Sequence, residues 1–151
     1  MKVLVSACLL GVSCRYDGQS KAYPLVEELC RRHEVVPVCP EQLGGLPTPR
    51  TPAERQGGRV VTKTGGDVTE QYLRGAAEAV RLAELLGCTV AVLKERSPSC
   101  GSGAVYDGTF TGTLTDGFGT AAEALRAAGI RVFSLSPLFR AKKEAGTKSG
   151  K

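Results

Sequence analysis

Residues 67–93 read DVTEQYLRGAAEAVRLAELLGCTVAVL, and this stretch decides the fold. Val68, Tyr72, Ala76, Ala79, Val80, Ala83 and Leu86 recur at helical spacing, and Gly87 supplies a left-handed stop. Asp67 and Glu70 form a capping signature, in which Asp67 accepts from the Glu70 amide while Glu70 reaches back. Residues 89–93 then make an unbroken apolar strand, the kind buried on both faces of a parallel sheet. A helix delivering such a strand is the repeating unit of an α/β fold.

The same grammar extends in both directions. Residues 1–7 form an apolar, β-branched run that ends at Cys8. Pro24 opens a helix whose stripe of Leu25, Val26, Leu29 and Cys30 runs to about His33. Residues 35–38 are a short buried strand whose pairing Pro40 ends. Residues 44–58 carry Pro47, Pro49 and Pro52 among glycines, with no helical or strand period; such a loop inside a compact domain is functional or disordered. Residues 59–63 offer one half of a small hairpin, and residues 104–111 a second hairpin with Asp107-Gly108 at its turn. Residues 120–128 form a helix closed by Gly129, residues 131–135 the last strand, and a short helix follows. The expected fold is a single three-layer α/β domain over residues 1–140, Rossmann-like, with a mainly parallel sheet and small hairpin insertions.

Composition limits the function classes. A chain of 151 residues makes one domain of ordinary size that buries roughly 70% of its unfolded surface. The net charge of +5 is partly local. Arg140, Lys142, Lys143, Lys148 and Lys151 crowd residues 141–151 and the position before them, which reads as a basic, flexible tail rather than a nucleic-acid arm. An RNA fragment as partner gets no support from this balance. The longest apolar stretch, 83–93, is broken by Glu84, Gly87 and Thr89 and falls short of the roughly 20 residues that span a bilayer. With a strand rather than a leader at residues 2–5, a cytoplasmic protein is expected, with no membrane partner. In that reducing compartment six cysteines are metal ligands, catalytic thiols or packing residues rather than disulfides.

Cys8, Cys39 and Cys100 each sit just past a predicted strand. Parallel strands present their carboxyl ends along one edge, where crevices bind ligands, so three thiols distant in sequence can meet there. Three ligands leave a metal or cluster one open position, as catalysis requires. Soft thiolates select zinc or iron–sulfur clusters. The chain has no close C-x2-C pair of the zinc type, and wide spacing suits a cubane better. Spacing alone leaves Cys14 open between ligand and bystander. Cys30, on the helix stripe, and Cys88, at a strand start, read as small core residues.

The motifs around these thiols resemble the thiouracil desulfidase family. Ser6-Ala-Cys8-Leu-Leu-Gly11-Val-Ser-Cys14-Arg-Tyr16-Asp17-Gly18 matches its opening block; residues 38–54, with Cys39-Pro-Glu41 and Arg50, and residues 93–101, with Ser97-Pro-Ser99-Cys100-Gly101, match the other two in order. Gly117-Phe-Gly-Thr-Ala-Ala122 departs mildly from a Gly-Val-Thr-Ala-type helix start. The resemblance implies a [4Fe-4S] cluster held by Cys8, Cys39 and Cys100 with one open iron, and catalytic roles for Glu41 and Ser97. It implies non-redox conversion of a thiolated pyrimidine base or nucleoside to the oxo form with release of sulfide. Arg50 and Glu54 then read either as a substrate lid or as a surface ion pair, and Tyr16 and Asp17 as pocket border or turn. Two rivals stand beside this reading: a zinc-dependent hydrolase on the same thiolates, and a non-enzymatic iron–sulfur sensor. The deaminase pattern H-x-E…P-C-x-x-C and the phosphate-binding glycine loops are missing from the sequence.

Overall fold

The computed structural model describes residues 1–135. In chain order these form β1 (Lys2–Ser6), a 3-10 turn (Ala7–Leu10), α1 (Pro24–Arg32), β2 (Glu34–Val38) and α2 (Pro40–Leu43). Then come β3 (Ala53–Gln56), β4 (Arg59–Thr62), α3 (Thr69–Leu86), β5 (Val90–Lys94), β6 (Ser102–Tyr106), β7 (Leu114–Phe118), α4 (Thr120–Ala127) and β8 (Arg131–Leu135). Among the described residues, β2, β1, β5 and β8 pair in that order as a four-stranded parallel sheet. Two antiparallel hairpins, β3–β4 and β6–β7, stand apart from it.

Alternation along β1 divides the interior. Val3 and Val5 pack with Val92 and with Val26 of α1 on one face. Leu4 packs with Ala91, Leu93, Ala83 of α3, and Ala122 and Leu125 of α4 on the other. This is the expected three-layer arrangement. Full burial of Leu4, Leu93 and Leu125 contributes about 1.5–3 kcal/mol each. The chain leaves β1 outward to β2, then returns past β1 to β5, so strand order reverses between β1 and β5. In such sheets the crevice beyond that reversal is the ligand site.

Several expectations need correction. Pro40 does end β2, but it also opens the short helix α2, where its missing amide is no loss. The supposedly aperiodic loop 44–58 contains β3, which completes the hairpin with β4. The Asp107-Gly108 hairpin is wider than expected: β7 begins only at Leu114. Residues 107–113 are closed by the Asp107 amide on the Thr113 carbonyl and held by side chains, with Asp107 Oδ1 accepting from the Thr109 amide and Glu54 Oε1 from the Gly108 and Phe110 amides. Asp67 does not cap α3 as expected, since Val68 takes the cap position without a side-chain bond. Asp67 Oδ1 accepts from the Thr69 amide at 2.9 Å, and its Oδ2 pairs with Arg59. These contacts hold its carboxyl down to about 2, with Thr69 the larger influence. Cys88 is buried as expected, whereas Cys30 is exposed. Helix α1 lies against β2, an edge strand, and Val26 is its one fully buried position. The short helix after residue 135 and the basic tail lie outside the described residues.

Helix α2 is seated by glycine. A methyl group on Gly75 of α3 would lie 1.9 Å from the Pro40 carbonyl oxygen, and one on Gly44 2.0 Å from that of Gln71. Backbone therefore touches backbone where α2 crosses α3. Gly75→Ala should lower stability by about 1–3 kcal/mol, as overpacking does. Because Pro40 adjoins Glu41, it should also reduce turnover; thermal unfolding and sulfide release together check both effects, and unchanged values would refute this seating.

Candidate active site

The carboxyl ends of β1, β2 and β5 deliver the thiols. Cys8 lies in the 3-10 turn after β1, Cys39 joins β2 to α2, and Cys100 ends the turn after β5. Cys14 follows from the loop behind Cys8, and its carbonyl oxygen is 3.6 Å from Cys39 Sγ. All four line one cavity of about 640 Å³, together with Glu41 and Ser97. Cys8, Cys14 and Cys100 are buried and Cys39 is half-buried. All of the sequence-predicted site residues thus converge at the sheet's reversal point.

The Cys100 turn is fixed from behind. The first amides of α4 donate to it, Thr120 to the Pro98 carbonyl and Ala121 to that of Ser99, both at 2.8 Å. These bonds satisfy donors that a helix start leaves open. Gly119 passes so near that a methyl there would lie 2.3 Å from the Ser99 carbonyl carbon. Ser97 Oγ accepts from the Cys100 amide at 2.8 Å, closing the turn.

Burial dominates the charge state of Cys8, Cys14 and Cys100. It pushes Cys100 up to about 12, while the hydrogen bond from Ser6 and the nearby Ser99 hydroxyl act the other way. Cys14 is also pushed up to about 12, by burial first and then by Cys39 and Cys8. Cys8 is raised by burial against the pull of Lys94, whose own ammonium is destabilised by burial. Left alone, these groups stay protonated at neutral pH. A cationic centre entering the cavity would displace their protons and supply the missing positive charge.

Glu41, in the first turn of α2, is held on both oxygens. Arg50 Nε donates to Oε1 and Ser99 Oγ to Oε2, each at 2.8 Å. Ser99 Oγ also lies 3.6 Å from Cys100 Sγ, but a hydroxyl has one hydrogen, and the short carboxylate bond takes it. The Tyr72 phenol faces the same carboxylate, and its ionisation is pushed up by burial and then by Glu41. Burial opposes the Arg50 charge, yet Glu41 outweighs it and raises the guanidinium.

The surface ion pair considered for Arg50 and Glu54 is not formed. They do not pair with each other: Arg50 forms a buried ion pair with Glu41, and Glu54 anchors the 107–113 connection. Both border the cavity. Tyr16 lines it too, whereas Asp17 closes a turn through the Gln19 amide. Sequence reading passed over Ser6, Ser99, Tyr72 and Lys94. Ser6 Oγ lies 3.3 Å from Cys100 Sγ and accepts from the Lys94 amide at 2.9 Å, so it stitches β1 to β5 beside a ligand candidate. For Ser99, adjacency to Cys100 was the available signal. Tyr72 carried none beyond its place on the buried stripe.

The donor set fits a cluster. Soft sulfurs line one cavity, and the Ser6 hydroxyl aims at one of them, as is usual where protein hydrogen bonds tune cluster sulfurs. Among the described residues no three His, Cys, Asp or Glu side chains gather closely enough for a single metal ion. Thiolates sharing one zinc lie within about 4.6 Å, twice the bond length. Four soft sulfurs on one cavity wall are the donors that iron–sulfur groups take.

A doubly wound α/β domain with convergent thiols and a clamped carboxylate at its switch point is the frame of an iron–sulfur enzyme. Residues 3–136 match the 2-thiouracil desulfurase family, and the chain belongs to it. It is similar to a protein of Bacillus subtilis (strain 168) described as "Uncharacterized protein YbbK", 44% identical over 146 residues, 90% of this chain and 97% of YbbK. The solved structure of a [4Fe-4S]-dependent thiouracil desulfidase, TudS (DUF523Vcz), is 47% identical with a TM-score of 0.86, covering 97% of this chain and 98% of that one.

Proposed function

We propose that this protein is a [4Fe-4S]-dependent thiouracil desulfidase, converting a thiolated pyrimidine base or nucleoside and water to the oxo form and sulfide without net redox change. The observation that carries the reading is the meeting of Cys8, Cys39 and Cys100 with Glu41 in one crevice, in a chain that aligns with TudS almost end to end. Cys8, Cys39 and Cys100 would hold the cluster, with Cys14 beside Cys39 as a bystander. Once bound, it supplies an open Lewis-acidic iron for the substrate's sulfur.

The protein's own residues handle the water and its protons. Glu41 accepts a proton from the water that attacks the thiocarbonyl carbon, and returns it to the departing sulfur. Ser97 Oγ lies 3.4 Å from Ser99 Oγ, which donates to Glu41, so a line of hydroxyls leads from the cavity wall to the base. Ser97 accepts from the Cys100 amide, and its one hydrogen turns from Ser99 to water or the pyrimidine when substrate enters. A cavity of about 640 Å³ falls in the ordinary range for small-molecule sites. No helix among the described residues is long and apolar enough to cross a membrane. Its reduced thiols belong in the reducing cytoplasm.

The test is turnover. Cluster-loaded protein incubated anaerobically with 2-thiouracil and with 4-thiouridine should release one sulfide for each oxo product. Sulfide from neither compound would contradict the reading.

A further inference from the structure

The proline-rich loop 44–52 holds one of the most constrained side chains in the molecule. The Arg50 side chain is 6% exposed. Its Nε donates to Glu41 Oε1 at 2.8 Å; Nη1 donates to the Pro47 carbonyl at 3.1 Å and to Thr48 Oγ1 at 2.9 Å; Nη2 donates to the Cys14 carbonyl at 2.9 Å. Its backbone amide donates to the Tyr16 carbonyl at 2.8 Å. All three guanidinium nitrogens are thus engaged, and they join three separate segments: α2, the loop itself, and the loop that carries Cys14.

A guanidinium is planar and rigid, so anchoring two of its nitrogens on other segments fixes the direction of the third. Glu41 therefore cannot turn away without breaking a bond that is braced elsewhere. The Cys14 carbonyl at the far end of this brace is the one that lies 3.6 Å from Cys39 Sγ. Carboxylate and thiol wall are set by one cation. Exposed pairs show the contrast: Arg31 and Arg32 on Glu28 are 66% and 71% exposed, where such contacts do little. Ser99 restrains only the other carboxylate oxygen, so without Arg50 the group would keep only the neutral Ser99 and Tyr72 hydroxyls beside it.

We propose that Arg50 is a positioning residue for desulfuration, aiming the Glu41 carboxylate by tying it to the Cys14 carbonyl and the 44–52 loop. The inference rests on Glu41 as the base, and its test separates the two. Arg50→Ala, Arg50→Lys, Glu41→Gln and the double variant Glu41→Gln/Arg50→Ala are reconstituted anaerobically and assayed with 2-thiouracil. Turnover is expressed per loaded cluster.

Arg50→Ala should load iron and lower kcat roughly 100-fold, the scale of a misplaced catalytic group, with KM little changed. Arg50→Lys should not restore kcat, because one point charge cannot reach three partners. Added guanidinium chloride at millimolar, non-denaturing concentration should restore kcat of Arg50→Ala at least several-fold and leave Glu41→Gln unchanged. The double variant should be no slower than Glu41→Gln, since residues acting through one another are not additive. Wild-type turnover per cluster in Arg50→Ala, whatever its loading, overturns the proposal. So do losses that multiply in the double variant, or a kcat that guanidinium does not raise. Wild-type turnover in Glu41→Gln alone sinks the base assignment itself, and the inference with it.

Discussion

Glu41→Gln should take up iron as the unsubstituted protein does and release sulfide at least roughly 100-fold more slowly, the low end of what a positioned base contributes. The substitution changes little but the proton chemistry. The glutamine carbonyl can face Arg50 Nε, and its amide can face Ser99 Oγ, which accepts as readily as it donates. Arg50 keeps its bonds to the carbonyls of Pro47 and Cys14, so its buried charge is not stranded. What disappears is a carboxylate able to take a proton from water. Iron content and visible absorption establish that the site is intact, and sulfide release reads the chemistry. Turnover at the unsubstituted rate would remove Glu41 from its role.

Cys100→Ser should lose the cluster and all sulfide release with it, whereas Cys14→Ser should keep iron and turnover within a few-fold. Serine is nearly the size of cysteine, but its oxygen is a hard, poorly ionised donor that does not replace a thiolate on iron. Cys100 is fully enclosed, backed by α4 and approached by the Ser6 and Ser99 hydroxyls, so nothing else can substitute for it locally. Cys14 differs in kind. The side chain it offers lies against Cys39, while its carbonyl already serves Arg50. The same contrast should hold for Cys8→Ser and Cys39→Ser against Cys14→Ser. Iron retained by Cys100→Ser and lost from Cys14→Ser would reverse the ligand assignment.

Much of this was legible in the sequence because it follows from short-range pattern. The stripe of α3, its Gly87 stop and the apolar β5 need only local periodicity, and they determine an α/β sheet. Convergence of Cys8, Cys39 and Cys100 then follows from strand polarity alone, since all parallel strands end on one edge. What escaped reading depends on contacts across the fold. Arg50 meets the Cys14 carbonyl across 36 positions, and Ser99 meets Glu41 across 58. Adjacency to Cys100 hints at Ser99, but no local signal names the partner of either side chain. Cys30 shows the reverse error, since a stripe says which face is apolar but not whether a neighbour covers its last turn. Asp67 reads as a capping residue in the sequence, yet competition from Thr69 and Arg59 redirects both of its oxygens.

The most direct test of the account is the iron and acid-labile sulfide content of the anaerobically reconstituted protein. About four of each per chain, in a brown protein with broad visible absorption, is the predicted result for a cubane in the thiol-lined crevice. A colourless protein carrying one zinc per chain and no labile sulfide would contradict it.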